Sequence, residues 1–176
     1  MAHADLVNNS FEDRREAAEF VVFSLKGILV DNNWVANLAN ASSILWHHFV
    51  GSGVRVNWVG VYIALNDKLV LGPFQGKPAC QEILVGKGVC GVAAQTMSIQ
   101  QVADVHSFPG HIACDGETKS ELVVPVIHNN KCVGVIDLDC LDADGFDEID
   151  SELVHKASEI IAISLFKASC ALSQDS

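Results

Sequence analysis

Apolar residues recur at helical spacing near both ends of the chain and alternate at strand spacing between them. From Phe11 to Leu29, Ala18, Val21, Val22, Leu25 and Leu29 fall on one stripe, which predicts an amphipathic helix. Ser10 with Asp13 has the form of a capping box at its start. Asp31 to Val50 predicts a second helix with Trp34, Leu38, Ile44, Leu45 and Phe49 inward, ended by Gly51-Ser52-Gly53. Asp147 caps a last helix in which Leu153, Val154, Ala157, Ile160, Ile161 and Leu165 share a face.

The middle of the chain reads as strands and shaped loops. Val54 to Leu65 is β-rich, and Asn66-Asp67 turns it into Lys68 to Leu71. Gly72 to Gly91 is dense in glycine, so it predicts a loop with one short apolar piece at Ile83 to Val85. Val92 to Thr96 predicts a brief helix and Ser98 to Val102 a strand, with irregular chain from Ala103 to Ser120. Glu121 to His128 and Lys131 to Asp139 flank Asn129-Asn130, the strongest hairpin signal in the sequence. The order helix, helix, strands, hairpin, helix predicts an α+β domain, an antiparallel sheet with helices on one face.

Composition narrows the partners. The 176 residues suit one domain with a sizeable core and 49% hydrophobic content. The formal net charge of −11 repels phosphate backbones and anionic lipid, so nucleic acid and membranes are not expected partners. No apolar run approaches the roughly 20 residues that span a bilayer. Met1 to Glu19 is mostly polar and lacks the basic-then-apolar order of a signal peptide. The expected location is therefore cytoplasmic, with the six cysteines as thiols.

Three of those cysteines, Cys80, Cys90 and Cys114, sit in or beside glycine-rich loops, where reactive groups are commonly displayed. All six also fit a purely structural reading. Cys132 in the hairpin and Cys170 on the last helix read as small buried hydrophobes, and Cys140 is ambiguous. Cys80, Cys90, Cys114 and His111 match no zinc spacing, so no metal is expected. His106 and His111 suit either the tuning of a thiol or the capping of a loop.

Carboxylates form a second constellation. Asp137 and Asp139 lie two apart on one strand and share a face, and pairing across Asn129-Asn130 brings Glu121 close to them. A solvated hairpin end would explain acids there. Val123, Val124, Val126, Val133, Val135 and Ile136, however, mark the hairpin as largely buried, so the acids need a reason. Trp58 and Tyr62 also share a strand face, for which core packing is the simple explanation.

Several strings together carry a family resemblance. They are Asn57-Trp58-Val59-Gly60, Gly72-Pro73-Phe74-Gln75-Gly76-Lys77-Pro78-Ala79-Cys80, Gly86-Lys87-Gly88-Val89-Cys90-Gly91, Asp104-Val105-His106, Phe108-Pro109-Gly110-His111-Ile112-Ala113-Cys114-Asp115, Ser120-Glu121 and Gly134-Val135-Ile136-Asp137-Leu138-Asp139. In this order they resemble the free methionine-(R)-sulfoxide reductases, over about residues 57 to 150. The resemblance implies one GAF domain over 1–176, with a six-stranded antiparallel sheet and helices packed mainly on one face. The N-terminal helices would fill about 10–50, the sheet and active-site loops about 54–140, and the last helix about 147–170.

It implies Cys114 as nucleophile, Cys90 as resolving thiol and Cys80 as a further redox-active thiol. It implies Glu121, Asp137 and Asp139 as substrate-binding acids, with Trp58 and Tyr62 lining the pocket. It also implies recycling by thioredoxin, a homodimer, and no cofactor. Chemically, a thiolate attacking a sulfoxide needs a proton donor for the oxygen, and crowded acids supply one because they cannot all ionise cheaply. The sulfenic acid left behind condenses with a second thiol. The competing class is a GAF sensor that binds a small molecule without turnover. Such a sensor is normally fused to an output domain, for which 176 residues leave little room, and it has no need of three loop cysteines.

Overall fold

A computed structural model of the chain describes residues 11–29 and 33–173. Helices α1 (Arg14–Ile28) and α2 (Trp34–Gly51) come first, then strands β1 (Val56–Leu65), β2 (Lys68–Gly76) and β3 (Glu82–Leu84). Helix α3 (Gly88–Thr96), strand β4 (Gln100–Val102) and a 3-10 turn (Val105–Ser107) lead to the hairpin β5 (Ser120–His128) and β6 (Lys131–Cys140), and α4 (Glu148–Ser173) closes the order. The six strands form one sheet in the order β3-β2-β1-β6-β5-β4, with every pairing antiparallel. No helix among the described residues is long and apolar enough to cross a membrane.

The alternation of side chains splits the sheet into two faces with different tasks. Val59, Val61, Ile63, Leu122, Val124, Val126, Ile136 and Leu138 pack against α1, α2 and α4 in the main core. Trp58, Tyr62, Val123 and Val135 face the other way, against α3 and the loops, with Cys90, Ile83 and Val89. The helix ends follow local chemistry. Asp13 caps α1 through Arg15 N–H at 2.7 Å, whereas the Ser10 of the expected capping box lies outside the described residues, as does Asp31. Asp147 and Asp150 accept each other's backbone N–H at the start of α4, a reciprocal cap, and Arg14 ties it to α1.

Two details of the sheet decide where the acids point. Asn129 and Asn130 both take positive φ (50° and 59°), as a two-residue hairpin turn of matching twist requires. From that turn Ile127 pairs with Cys132, but Val126 pairs with Gly134, so Val133 is an extra residue in β6. Without this bulge Glu121 would pair with Leu138 and face the helical core. With it, Glu121 pairs with Asp139 and joins Asp137 on the loop side. Gly134 permits the close packing, since a Cβ there would lie 2.3 Å from the Tyr62 carbonyl oxygen.

The second detail is β2, which runs on through Gly72 to Gly76, where the glycine density predicts a loop. These are strand glycines with a packing role. A Cβ at Gly76 would meet the Trp58 ring at 2.8 Å, and one at Gly60 would meet it at 2.5 Å. Their bareness lets the indole lie flat, stacked on Phe74 with ring centroids 5.2 Å apart. Pro73 is tolerated because the pairing with β3 ends at Val70 and the last link to that segment is the Leu71 N–H, which donates to the Gln81 carbonyl, so no ladder partner needs an N–H at position 73.

Candidate active site

The register lays the acids and aromatics out as rows across three strands. Glu121 on β5, Asp139 on β6 and Trp58 on β1 are successive partners, and one step along Val123, Asp137 and Gly60 repeat the row. Tyr62 stacks beside Trp58, with centroids 5.7 Å apart. Helix α3 lies over this face and lowers Cys90 onto it, and its approach depends on Gly91, whose Cβ would meet the Leu84 carbonyl at 2.4 Å. The loop carrying His111, Ile112 and Cys114 closes the side. One pocket is thus lined by Trp58, Tyr62, Cys90, Cys114, Glu121, Asp137 and Asp139, together with His111, Asp115 and Thr118.

Cys114 is joined to Cys80, not to Cys90. The expectation of six thiols gives way to four free cysteines, and Cys90, expected as the resolving thiol, is one of them in this structure. The physical reason is placement. Cys90 is only 3% exposed on α3 and points at the acids, its Sγ 3.8 Å from Glu121 Oε1. Cys80 lies at the rim, held there by the Tyr62 hydroxyl, which donates to the Cys80 carbonyl at 3.0 Å. Among the others, Cys132 is half-buried with Sγ donating to the Gly134 carbonyl, Cys140 is buried, and Cys170 is exposed rather than the buried hydrophobe expected.

The segment after Cys114 is anchored as well. Asn57 Nδ2 donates to Asp115 Oδ2 at 3.2 Å and to Thr118 Oγ1 at 3.0 Å. Lys77 pairs with Asp115 at 3.2 Å and with Glu117. The Glu117 backbone N–H, then Lys77 and Asn57, hold the Asp115 carboxyl below the usual range. Strand β1 therefore grips both cysteine-bearing segments, Cys80 through Tyr62 and Cys114 through Asn57. The sequence reading assigned no role to Asn57, Lys77, Thr118 or Gly60. Asn57, Gly60 and Lys77 stand inside the strings that carry the resemblance, which is the one signal that pointed at them.

The electrostatics of the pocket are those of crowded acids. Glu121 and Asp137 are each 6% exposed. Burial first, then the charges of Asp137 and Asp139, push Glu121 well above the usual carboxylate range. Burial, with Asp137 and Asp115 behind it, does the same to Asp139. Asp137 is raised to about 6, with the Cys90 and Glu121 contacts and the Leu138 N–H opposing its burial. Cys90 is pushed up by the same burial and charges, so it stays a thiol. Desolvation lowers His111, so its Nε2, 3.7 Å from Glu121 Oε2, is a neutral neighbour and not half of an ion pair. His106 sits instead in the exposed 3-10 turn capped by Asp104.

The buried Asp137 Oδ1 and Trp58 Nε1 have no hydrogen-bond partner among the described residues. One acceptor and one donor thus face the pocket unused. Sγ of Cys90 and carboxylate oxygens of Glu121 and Asp137 lie within 4.8 Å of one another, close enough to share one cation. The Cys80, Cys90, Cys114 and His111 set offers no comparable site, since two of its sulfurs are bonded to each other.

Raised acids make stability depend on pH in a fixed sense. Asp137 holds its proton in the folded state up to about pH 6, but unfolded it loses it near the ordinary 3.8. The unfolded chain therefore binds fewer protons in that window, and this contribution falls as pH rises. His48, lowered to about 4 by burial, acts in the opposite sense. The difference between proteins isolates the acid. Urea unfolding between about pH 4 and pH 6 is expected to show a more positive slope of stability against pH in Asp137→Asn than in the wild type. Equal slopes would mean that Asp137 titrates normally.

Residues 40–165 match the GAF domain family model. The chain is 52% identical to the free methionine-R-sulfoxide reductase of Saccharomyces cerevisiae over 165 residues, 90% of this chain and 92% of that protein. The chain belongs to the free methionine-R-sulfoxide reductase family. The Escherichia coli enzyme of that name is 40% identical over 78% of this chain and 83% of its own length. The X-ray structure of the Neisseria meningitidis free methionine-R-sulfoxide reductase in complex with its substrate superposes with a TM-score of 0.81 at 37% identity, covering 93% of this chain and 96% of that one. The GAF architecture and the sheet read from the sequence are those of this reductase family.

Proposed function

We propose that this protein reduces free L-methionine-(R)-sulfoxide to methionine, with thiols as the source of electrons. One observation carries the reading: a bridgeable cysteine pair, Cys80 and Cys114, stands at a pocket floored by the buried Glu121 and Asp137 and the half-buried Asp139, all with raised affinity for protons. Family membership supports the same substrate.

Each group has a task in the reaction. The substrate ammonium sits among Asp137, Asp139 and Glu121, whose crowding it relieves. Free amides in the first turn of α3, at Gly88 and Val89, suit the substrate carboxylate. Trp58 and Tyr62 supply the wall against which the S-methyl end packs. The Cys114 thiolate attacks the sulfoxide sulfur while a protonated acid, Glu121 or Asp139, donates to the oxygen. The protonated oxygen leaves as water while the Cys114 sulfur bonds to the substrate sulfur. A water then attacks the Cys114 sulfur, that S–S bond breaks, methionine departs with its electron pair, and Cys114 is left as a sulfenic acid. The Cys80 thiol then displaces that oxygen as water and forms the disulfide. A dithiol of the thioredoxin class returns both sulfurs to thiols in the reducing cytoplasm. Cys90 takes no covalent part. Its S–H donates to Glu121 from the α3 side.

One turnover without reductant tests this assignment of sulfurs. Mixing reduced protein with an equal amount of sulfoxide is expected to yield one methionine per chain and a single Cys80–Cys114 peptide by mass spectrometry. Cys90→Ser is expected to leave that peptide in place. A dominant Cys90–Cys114 peptide would exchange the roles of Cys80 and Cys90.

A further inference from the structure

The two segments that meet in the disulfide also meet through charge. Lys77 stands three residues before Cys80, while Asp115 and Glu117 stand one and three residues after Cys114. Lys77 Nζ lies 3.2 Å from Asp115 Oδ2 and also pairs with Glu117. Asp115 is fixed in turn, since its other oxygen accepts the Glu117 N–H at 3.1 Å and Asn57 holds it from β1. The ammonium therefore clips one cysteine segment to a carboxylate already mounted on the sheet.

We propose that Lys77 is a positioning residue for the resolving step, an ionic latch that keeps the Cys80 segment against the Cys114 loop while the two sulfurs are not bonded. This rests on the reading of Cys114 and Cys80 as the reacting pair. In the step concerned, the Cys80 sulfur attacks the Cys114 sulfenic sulfur, an S–S bond forms, the S–O bond breaks, and the oxygen leaves as water with the thiol proton and the sulfenic proton. Only the approach of the two sulfurs depends on Lys77. The covalent bond holds the segments together in the oxidised protein. In the reduced and sulfenic states the residues 34 apart in sequence must be brought together by other contacts. Holding them near one another raises the effective concentration of the resolving thiol.

The latch is largely exposed, Lys77 at 58% and Glu117 at 67% of the side chain, which gives it two experimental handles. Replacing Lys77 leaves the core untouched, and salt screens the pair. The experiment is single turnover of reduced full-length protein with one equivalent of free methionine sulfoxide and a nucleophile that traps sulfenic acids, such as dimedone. Trapped Cys114 competes with the Cys80–Cys114 bridge, and peptide mass spectrometry reads the ratio. Lys77→Met is expected to raise the trapped-to-bridged ratio about threefold to fivefold, the range for one partly exposed ion pair in a small network. The rate of methionine release in the same turnover is expected to stay unchanged. Glu117→Gln is expected to move the ratio the same way, Lys77→Arg to restore it, and high salt to bring the wild type towards the Lys77→Met value.

A merely structural role would not respond to salt or split the two rates in this way. An unchanged ratio in both Lys77→Met and Glu117→Gln overturns the latch while leaving the reacting pair intact. Absence of any Cys80–Cys114 bridge in the wild type overturns the reacting pair, and the latch with it.

Discussion

Cys114→Ser is expected to lose reductase activity by more than roughly 10³-fold, the order seen when an enzyme loses its nucleophile. The loss should persist with dithiothreitol, because a small dithiol replaces the resolving thiol or the recycling protein but not the atom that attacks the sulfoxide. A serine hydroxyl at neutral pH offers almost no alkoxide, whereas a cysteine offers a few per cent thiolate even unassisted. The fold should survive the change, since the core on the helical side of the sheet does not involve this loop. Methionine release from free sulfoxide, measured beside the unfolding midpoint, checks both parts. Substantial residual release from a folded variant would mean that another sulfur attacks.

The acids carry the second large effect. Asp139→Asn keeps the shape of the side chain but can neither donate a carboxyl proton nor balance an ammonium. A loss of at least roughly tenfold in turnover is expected for it alone. With Glu121→Gln added, the loss should reach the roughly 10²–10⁴-fold that positioned acids contribute. Both residues are pushed towards the protonated form by burial and by each other's neighbours, so removing one also alters the other. The double variant should therefore fall short of the product of the single effects. Wild-type kinetics in the double variant would remove the acid cluster from the reaction.

Much of this architecture was legible because it follows from short-range rules. The apolar stripes of the helices and the Asn129-Asn130 turn are local, and each appears in the structure within a few residues of its expected place. What lay beyond the sequence was set by contacts between distant segments. The bulge at Val133 shifts register by one residue and so determines the face on which Glu121 sits, yet no residue type at that position announces it. The glycines from Gly72 to Gly76 resemble loop residues in composition. They prove to be strand positions kept bare for β1, Gly76 for the Trp58 ring and Gly72 for Val61. The choice of Cys80 over Cys90 as the partner of Cys114 depends on where α3 and the Tyr62 hydroxyl put those sulfurs, which spacing along the chain does not encode.

On the proposed mechanism the acid cluster selects a free amino acid for thiol chemistry. A peptide-linked methionine sulfoxide has no ammonium beside its side chain, and the same is true once the amine is acetylated. A charged hydrogen bond of this kind is worth roughly 1.5–3 kcal/mol, and its loss also leaves the buried acids without their counter-charge. A direct measurement compares, at equal concentration and with the same dithiol, thioether formation from three substrates: methionine from free L-methionine-(R)-sulfoxide and from its (S) epimer, and N-acetylmethionine from the N-acetylated (R) form. Rapid reduction of the free (R) form is expected, with the N-acetyl form slower by at least roughly tenfold, the least that such an energy implies, and the (S) epimer spared. Comparable rates on free and N-acetylated substrate would contradict the ammonium site, and no methionine from the free (R) form would contradict the reductase itself.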